Sequence, residues 1–264
     1  MIKFNAIHRA YGASVVLDNV SFDVQEGQFI TLFGPNGCGK STLMNILTGA
    51  DKATSGTIEG VDALKGQIGF VFQDYRRTLL PWRSGKNNIL LPLTLRGMDR
   101  SEQIKRLAAL KEKLKPDFDL RQRIYTLSGG QAQMISLMRA LIIQPKLLIL
   151  DEPFSALDYG RTLAYRQMVM NVAKDFNLTT LFISHDLEEA LYLGDRVVFL
   201  TGKPTRVQQI LDVPFARPRA PALLGTPEFA ALKLKGMEIF SQAAGISLSA
   251  GFAPAPQAGL AIPA

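Results

Sequence analysis

The chain has one cysteine, Cys38, and only two histidines. A lone cysteine excludes an intrachain disulfide and a cysteine-based metal cluster, and two histidines argue against a His-rich metal site. Long apolar runs are missing as well. The longest strongly apolar stretches, around 146–150 and 180–183, are far short of the roughly 20 residues that a bilayer-spanning helix needs. No basic-then-apolar leader opens the chain, because Asn5, His8 and Arg9 interrupt it. A cytoplasmic protein is expected, with any membrane role exercised through a spanning partner. Blocks of like charge are also absent. The net charge of +7 comes from 30 basic against 23 acidic residues scattered along the chain, which fits a position near anionic headgroups better than nucleic-acid binding. After about residue 242 there is no charge at all, and Ala, Gly and Pro dominate. Residues 243–264 therefore read as a flexible tail with little to bury, and 1–242 as one domain.

What is present is an alternation of short apolar runs and helical stretches in a chain of 264 residues, 47% of them apolar. Residues 28–33 read as a strand that runs into the glycine-rich stretch 34–39, followed by a helix stopped at Gly49. The runs 68–72, 146–150 and 180–184 have the form of parallel strands covered on both faces. The expected fold is α/β with a mainly parallel sheet. Residues 2–8 and 15–24 suit an antiparallel β edge. From about 80 to 140 the pattern is helical, an inserted subdomain. Within it Asp99 and Glu102 have the spacing of a capping box, and Ile104, Leu107 and Leu114 are expected to share one face.

Gly34-Pro35-Asn36-Gly37-Cys38-Gly39-Lys40-Ser41 fits the phosphate-loop pattern, lying between a strand and a helix as that pattern requires. Glycines let backbone N–H groups curl around phosphate oxygens, and the helix that begins here turns its positive end toward the anion. Lys40 brings a full charge to the β- and γ-phosphates, and Ser41 a hydroxyl for Mg²⁺. Cys38 fits the loop as a small side chain; an alkylatable thiol that blocks ATP is the alternative. The strand ending Leu150-Asp151-Glu152 supplies two adjacent carboxylates, Asp151 to hold Mg²⁺ and Glu152 to polarise an attacking water. Leu127-Ser128-Gly129-Gly130-Gln131 is a serine-capped helix start with two glycines, a further anion-type terminus.

In this order the three elements resemble the ABC ATPases, over residues 1 to about 240. The resemblance implies an ABC fold: a phosphate-loop NTPase core, an antiparallel β subdomain and a helical insertion. It implies MgATP hydrolysis, and roles for further positions. Tyr11 matches the aromatic residue that stacks on adenine, and Thr42 the residue that follows the phosphate-loop serine. Gln73 matches the glutamine that reaches Mg²⁺ and the attacking water, and His185 the histidine at the γ-phosphate. Ser155-Ala156-Leu157-Asp158 matches the loop that communicates across a dimer. Two subunits, expected to be identical, would pack head to tail, with Ser128, Gly129, Gly130 and Gln131 of one covering the ATP of the other.

The stretch Phe72-Gln73-Asp74-Tyr75-Arg76-Arg77-Thr78-Leu79-Leu80-Pro81-Trp82-Arg83 and the stretch Phe215-Ala216-Arg217-Pro218-Arg219 are similar to importer ATPases for nitrate, sulfonates and taurine. That likeness implies transmembrane permease subunits, a periplasmic solute-binding protein acting indirectly, and a peripheral position on the cytoplasmic face of the bacterial inner membrane. Residues 73–82 are expected to help form a groove for a permease helix, unless Leu79, Leu80 and Trp82 bury themselves in the helical subdomain. Ala132-Gln133-Met134 departs from the Arg-Gln-Arg run common after the signature. A soluble ABC ATPase acting on nucleic acid or ribosomes, and an ATP sensor without hydrolysis, remain as other readings. A single cassette speaks against the first, and Glu152 with His185 against the second.

Overall fold

The structure, a computed structural model, describes residues 1–154 and 159–244. The chain opens with a hairpin of β1 (Ile2–Tyr11) and β2 (Ser14–Val24), turned through Gly12 in the left-handed region. β3 (Phe29–Phe33) leads into α1 (Lys40–Thr48), and β4 (Ser55–Glu59) returns to pair with β1. After β5 (Ile68–Val71) come four helices: α2 (Tyr75–Thr78), α3 (Gly85–Leu95), α4 (Arg100–Leu114) and α5 (Gly129–Leu141). β6 (Leu147–Asp151), α6 (Tyr159–Asp175), β7 (Thr179–Ser184), α7 (Leu187–Leu193), β8 (Arg196–Leu200), β9 (Val207–Asp212) and α8 (Pro227–Ala244) follow.

The central sheet has the order β5-β6-β7-β3-β8-β9, parallel except for β9, and the smaller sheet β2-β1-β4 is antiparallel. Strand periodicity divides the interior in two. Phe29 and Phe33 of β3, Leu148 and Leu150 of β6 and Phe182 of β7 join a core shared with the helical insertion, α7 and α8. The residues between them, Ile30, Leu32, Leu147, Ile149, Leu181 and Ile183, join a second core with α1 and the antiparallel sheet. Successive side chains of a strand face opposite ways, so a strand apolar throughout is covered on both faces.

Two local expectations change. In α4 the buried residues are Gln103, Leu107, Leu110 and Leu114, while Ile104 is about half exposed. Positions 103, 107, 110 and 114 line one face at helical spacing, and Ile104 lies one residue, about 100°, off it. Gln103 accepts burial because its amide donates to Met98 O at 2.8 Å. Asp99 caps the helix through Ser101 N, whereas Glu102 pairs with Arg106 at 3.0 Å. Of the expected tail 243–264, Ala243 and Ala244 close α8, and 245–264 lie outside the described residues.

The sheet order decides what happens at its carboxyl edge. Phe33 is in register with Ser184, Asp151 with Ile183, and Val71 with Leu150. The segments after β3, β5, β6 and β7 therefore emerge side by side, where open α/β sheets place their ligands.

Candidate functional site

At this edge lies a cavity of about 600 Å³. One wall is the loop 34–39 and the first turn of α1. Gly37 and Gly39 have φ of 72° and 119°, left-handed values that favour glycine. At Gly39 a Cβ would lie 2.9 Å from Val16, so the hairpin and the loop meet over a residue without a side chain. α1 has no side-chain cap and no acidic residue in its first turn. Its leading N–H groups and its positive end are left for an anion. Asn36, Gly37, Gly39, Lys40, Ser41 and Thr42 line the cavity. Lys40 is buried, and its ammonium donates to the carbonyls of Gly34 at 2.8 Å and Pro35 at 3.0 Å.

Gln73, Asp151 and Glu152 line the same cavity. Consecutive strand residues point to opposite faces, yet Asp151 and Glu152 line one cavity. The chain leaves the strand at Glu152, whose φ of 44° is left-handed, and its N–H is tied to Ile183 O at 3.0 Å. Such a backbone in a residue with a Cβ costs about 1–3 kcal/mol. Burial, and then the charge of Glu152, push the Asp151 carboxyl up to about 6, against the opposing pull of Lys40 and Ser41.

Three residues named from separate parts of the sequence converge. Gln73 Nε2 donates to Glu152 Oε2 at 3.0 Å, and His185 Nδ1 lies 3.0 Å from the same oxygen. His185 is held between pinned neighbours. The Ser184 hydroxyl donates to Glu189 at 2.8 Å and accepts from Asp186 N at 2.9 Å, while Arg166 donates to Glu189 at 3.0 Å. Tyr11 lines the hairpin end of the cavity, about half exposed. The Arg9 guanidinium stands 4.2 Å above its ring, and Asp51 accepts from both Arg9 and the Tyr11 hydroxyl.

Other expected residues lie elsewhere. The Cys38 thiol does not line the cavity. It is buried in the core, 3.4 Å from where a Cβ on Gly34 would sit, and burial pushes its pKa up. This agrees with a small side chain that fits, and a shielded thiol is a poor alkylation target. Ser128, Gly130 and Gln131 line a separate depression with Met134, Tyr165 and Met168. Gly129, at the start of the same helix, faces the Tyr75 hydroxyl. Within this chain the signature does not reach the phosphate-loop cavity. Ser155, Ala156, Leu157 and Asp158 lie outside the described residues. Sequence reasoning missed Ser14, Val16 and Lys203 on the cavity wall, and Arg9 with Asp51 behind Tyr11. Arg9 and Tyr11, two apart on β1, share a strand face that alternation could have flagged. Asp51 and Lys203 leave no local signal.

Oxygen donors around an uncapped, lysine-bearing helix start define a phosphate-loop nucleotide site. The family model described as ABC transporter matches residues 17–155. A nitrate import ATP-binding protein of Synechococcus elongatus is 36% identical over 240 residues, covering 86% of this chain and 85% of the relative. An aliphatic sulfonates import ATP-binding protein of Bacillus subtilis is 32% identical over 254 residues, covering 95% of this chain and 96% of the relative. A dimeric ATP-binding cassette solved in a post-hydrolysis state with ADP and Pi superposes with a TM-score of 0.70 at 26% identity, over 82% of this chain and all of that one. The chain belongs to the ABC transporter family of ATP-binding proteins, and it is an ATPase.

Proposed function

We propose that this chain is the ATP-hydrolysing subunit of a bacterial importer for a small anion of the nitrate, sulfonate or taurine kind, seated peripherally on the cytoplasmic face of the inner membrane. The observation that carries the hydrolytic role is the meeting of Gln73 and His185 on one oxygen of Glu152, in the cavity that Lys40 also lines. A phosphate chain cradled by the loop would present its γ-phosphate to that group. Glu152 then accepts a proton from the attacking water as the new P–O bond forms and the bond to ADP breaks. Gln73 and His185 orient the water and the carboxylate, and Lys40 offsets charge on the β- and γ-phosphates. Tyr11, backed by Arg9, offers its ring to the adenine.

Among the described residues no group of three or more His, Cys, Asp or Glu side chains gathers to hold a metal. Mg²⁺ fits this site nonetheless, because it binds through one or two carboxylates plus substrate phosphates. Ser41, Gln73 and Asp151 supply hard oxygen donors, and the Asp151 carboxyl, raised by burial and then by the charge of Glu152, would gain from a nearby cation. Bound there, the ion would neutralise charge on the β- and γ-phosphates.

The surface supports this choice of partners. The depression at Ser128 shares no lining residue with the chain's own cavity, which suits a second copy whose signature covers this chain's nucleotide, and the similar solved cassette is dimeric. Among the described residues no helix is long and apolar enough to cross a membrane, so transport requires permease subunits. Of the expected groove, Leu79 is buried in the core and Leu80 is held through both backbone groups by Asn88, whereas Trp82 is 66% exposed. Phe72, stacked on Phe70, borders a mostly apolar hollow of about 510 Å³ with Ile46 and Val61. These residues suit a permease helix with apolar anchors. The solute class rests on the relatives, and a periplasmic binding protein would act only through the permease.

Affinity purification of the chain from native membranes, followed by reconstitution of whatever permease accompanies it, tests the proposal. Uptake of nitrate or an alkanesulfonate into vesicles, coupled to ATP hydrolysis, is the expected result. A chain that hydrolyses ATP yet co-purifies only with ribosomes or nucleic acid would overturn it.

A further inference from the structure

The connection between β8 and β9, residues 201–206, is fastened to the wall of the nucleotide cavity. Thr205 is buried there; its N–H donates to Val16 O and its carbonyl accepts from Asp18 N, both at 2.9 Å. Its hydroxyl donates to the carbonyl of Cys38, inside the phosphate loop. Across the base of the turn Thr201 N donates to Arg206 O at 3.0 Å, and Arg206 N to the Thr201 hydroxyl at 2.9 Å. A turn closed across its base, and tied through Thr205 to both the hairpin and the phosphate loop, has little freedom to swing away.

This turn carries Lys203 onto the cavity wall, beside Tyr11, Ser14 and Val16. The side chain is exposed, and among the described residues it has no hydrogen-bond or ion-pair partner. The nearby cations differ. Lys40 donates to two loop carbonyls, Arg9 pairs with Asp51, and Arg206 pairs with Asp18. A nucleotide with its base on Tyr11 and its terminal phosphate at Lys40 must pass Val16 with its ribose and α-phosphate.

We propose that Lys203 is a further nucleotide-binding residue, an ammonium that meets the α-phosphate from the β8–β9 turn. The inference rests on the reading of this cavity as the ATP site. A lysine acts here as a mobile point charge on a flexible stem, which suits a single anionic group at the cavity mouth. Because the α-phosphate is common to ATP and ADP, Lys203 holds both alike and leaves discrimination between them to the phosphate loop and the edge of β6.

Equilibrium titration of the full chain with ATP, ADP and inorganic triphosphate tests this, using wild type, Lys203→Ala, Lys203→Glu and Lys203→Arg at low and high salt. Lys203→Ala is expected to weaken ATP and ADP equally, by about fivefold, as befits an exposed charge pair. Lys203→Glu should weaken them further, and Lys203→Arg should restore most of the affinity. Inorganic triphosphate, whose third phosphoryl group takes the α place, should lose affinity by the same factor. All these differences should shrink at high salt. Unchanged affinities in Lys203→Ala and Lys203→Glu would overturn the proposal. So would a loss confined to ATP, which puts Lys203 at the γ-phosphate, or one that spares inorganic triphosphate, which puts it at the ribose or base. A wild-type chain that binds neither nucleotide would instead refute the ATP site itself. Melting curves should coincide for all four proteins, since the side chain is exposed and makes no hydrogen bond or ion pair among the described residues.

Discussion

α1 and α5 both start beside glycines, and the two starts are finished differently. α1 follows Gly39 with no side-chain cap, and its first turn faces the cavity with Lys40 and Ser41. α5 follows Ser128, whose hydroxyl accepts from Gln131 N at 3.3 Å while the Gln131 side chain accepts from Ser128 N at 3.0 Å. The second helix thus satisfies much of its own terminus, whereas the first leaves its donors to a ligand. An unfinished terminus needs an anion brought to it, and here it faces the carboxylates, Asp151 and Glu152, that a hydrolytic site requires. A finished terminus with an exposed serine and two glycines has the shape to approach another surface closely.

The largest effect should come from the chemistry opposite the α1 terminus. Glu152→Gln should lower phosphate release by about 10²–10⁴-fold, since an amide cannot accept the water's proton, while ATP binding persists. Turnover close to wild type would remove Glu152 as proton acceptor. The same terminus should show in the pH dependence of stability. The Asp151 carboxyl titrates at about 6 in the folded chain, above its ordinary value of 3.8. Between these pH values the folded state holds a proton that the unfolded state has released. Stability from this group is therefore full below about pH 4 and is lost as pH rises through 6, by roughly 3 kcal/mol. In denaturant titrations without nucleotide, Asp151→Asn should lack this part of the slope; parallel pH profiles for variant and wild type would contradict it.

Lys40→Ala should weaken ATP binding by about 10- to 100-fold, because the backbone donors alone must then face the phosphates. Calorimetric titration with unchanged affinity would dissolve the contrast between the two termini. Ser128→Arg acts at the other one. It should reduce turnover by about tenfold or more through lost packing against the partner's nucleotide, with affinity in the isolated chain close to wild type. A loss of binding as deep as that of Lys40→Ala would place both termini on one nucleotide within a single chain. The smallest effect belongs to Gln131→Ala, which removes half of the capping box. About 1 kcal/mol, or a melting temperature lower by about 2–4 °C, is expected. A larger drop would mean that the depression around Gln131 carries part of the core.

Much of the site was legible because it is written in neighbouring residues. The run Gly34 to Ser41 encodes its own backbone, since left-handed φ at Gly37 and Gly39 is affordable mainly without a Cβ. Ser128 and Gln131 encode their cap by spacing. Where neighbours do not decide, tertiary packing overrides the local pattern. Ile104 lies off the buried face of α4 that its spacing to Leu107 and Leu114 suggests, and Gln103, bonded to the Met98 carbonyl, takes the buried place. Leu79 entered the core while Trp82 stayed exposed, a division that no local pattern separates.

By itself, the sequence determined the fold class, the phosphate loop, the two strand-end carboxylates and the capped start of α5, because glycine sterics, caps and alternation act over a few residues. The tertiary structure alone decided that Gln73, Glu152 and His185 share one oxygen, that Asp51 and Arg9 stand behind Tyr11, and that Lys203 reaches the same cavity. Those meetings depend on the order and register of strands far apart in the chain. Ladder hydrogen bonds and the packing of two cores on opposite faces of the sheet choose that order, and no stretch of neighbouring residues contains it.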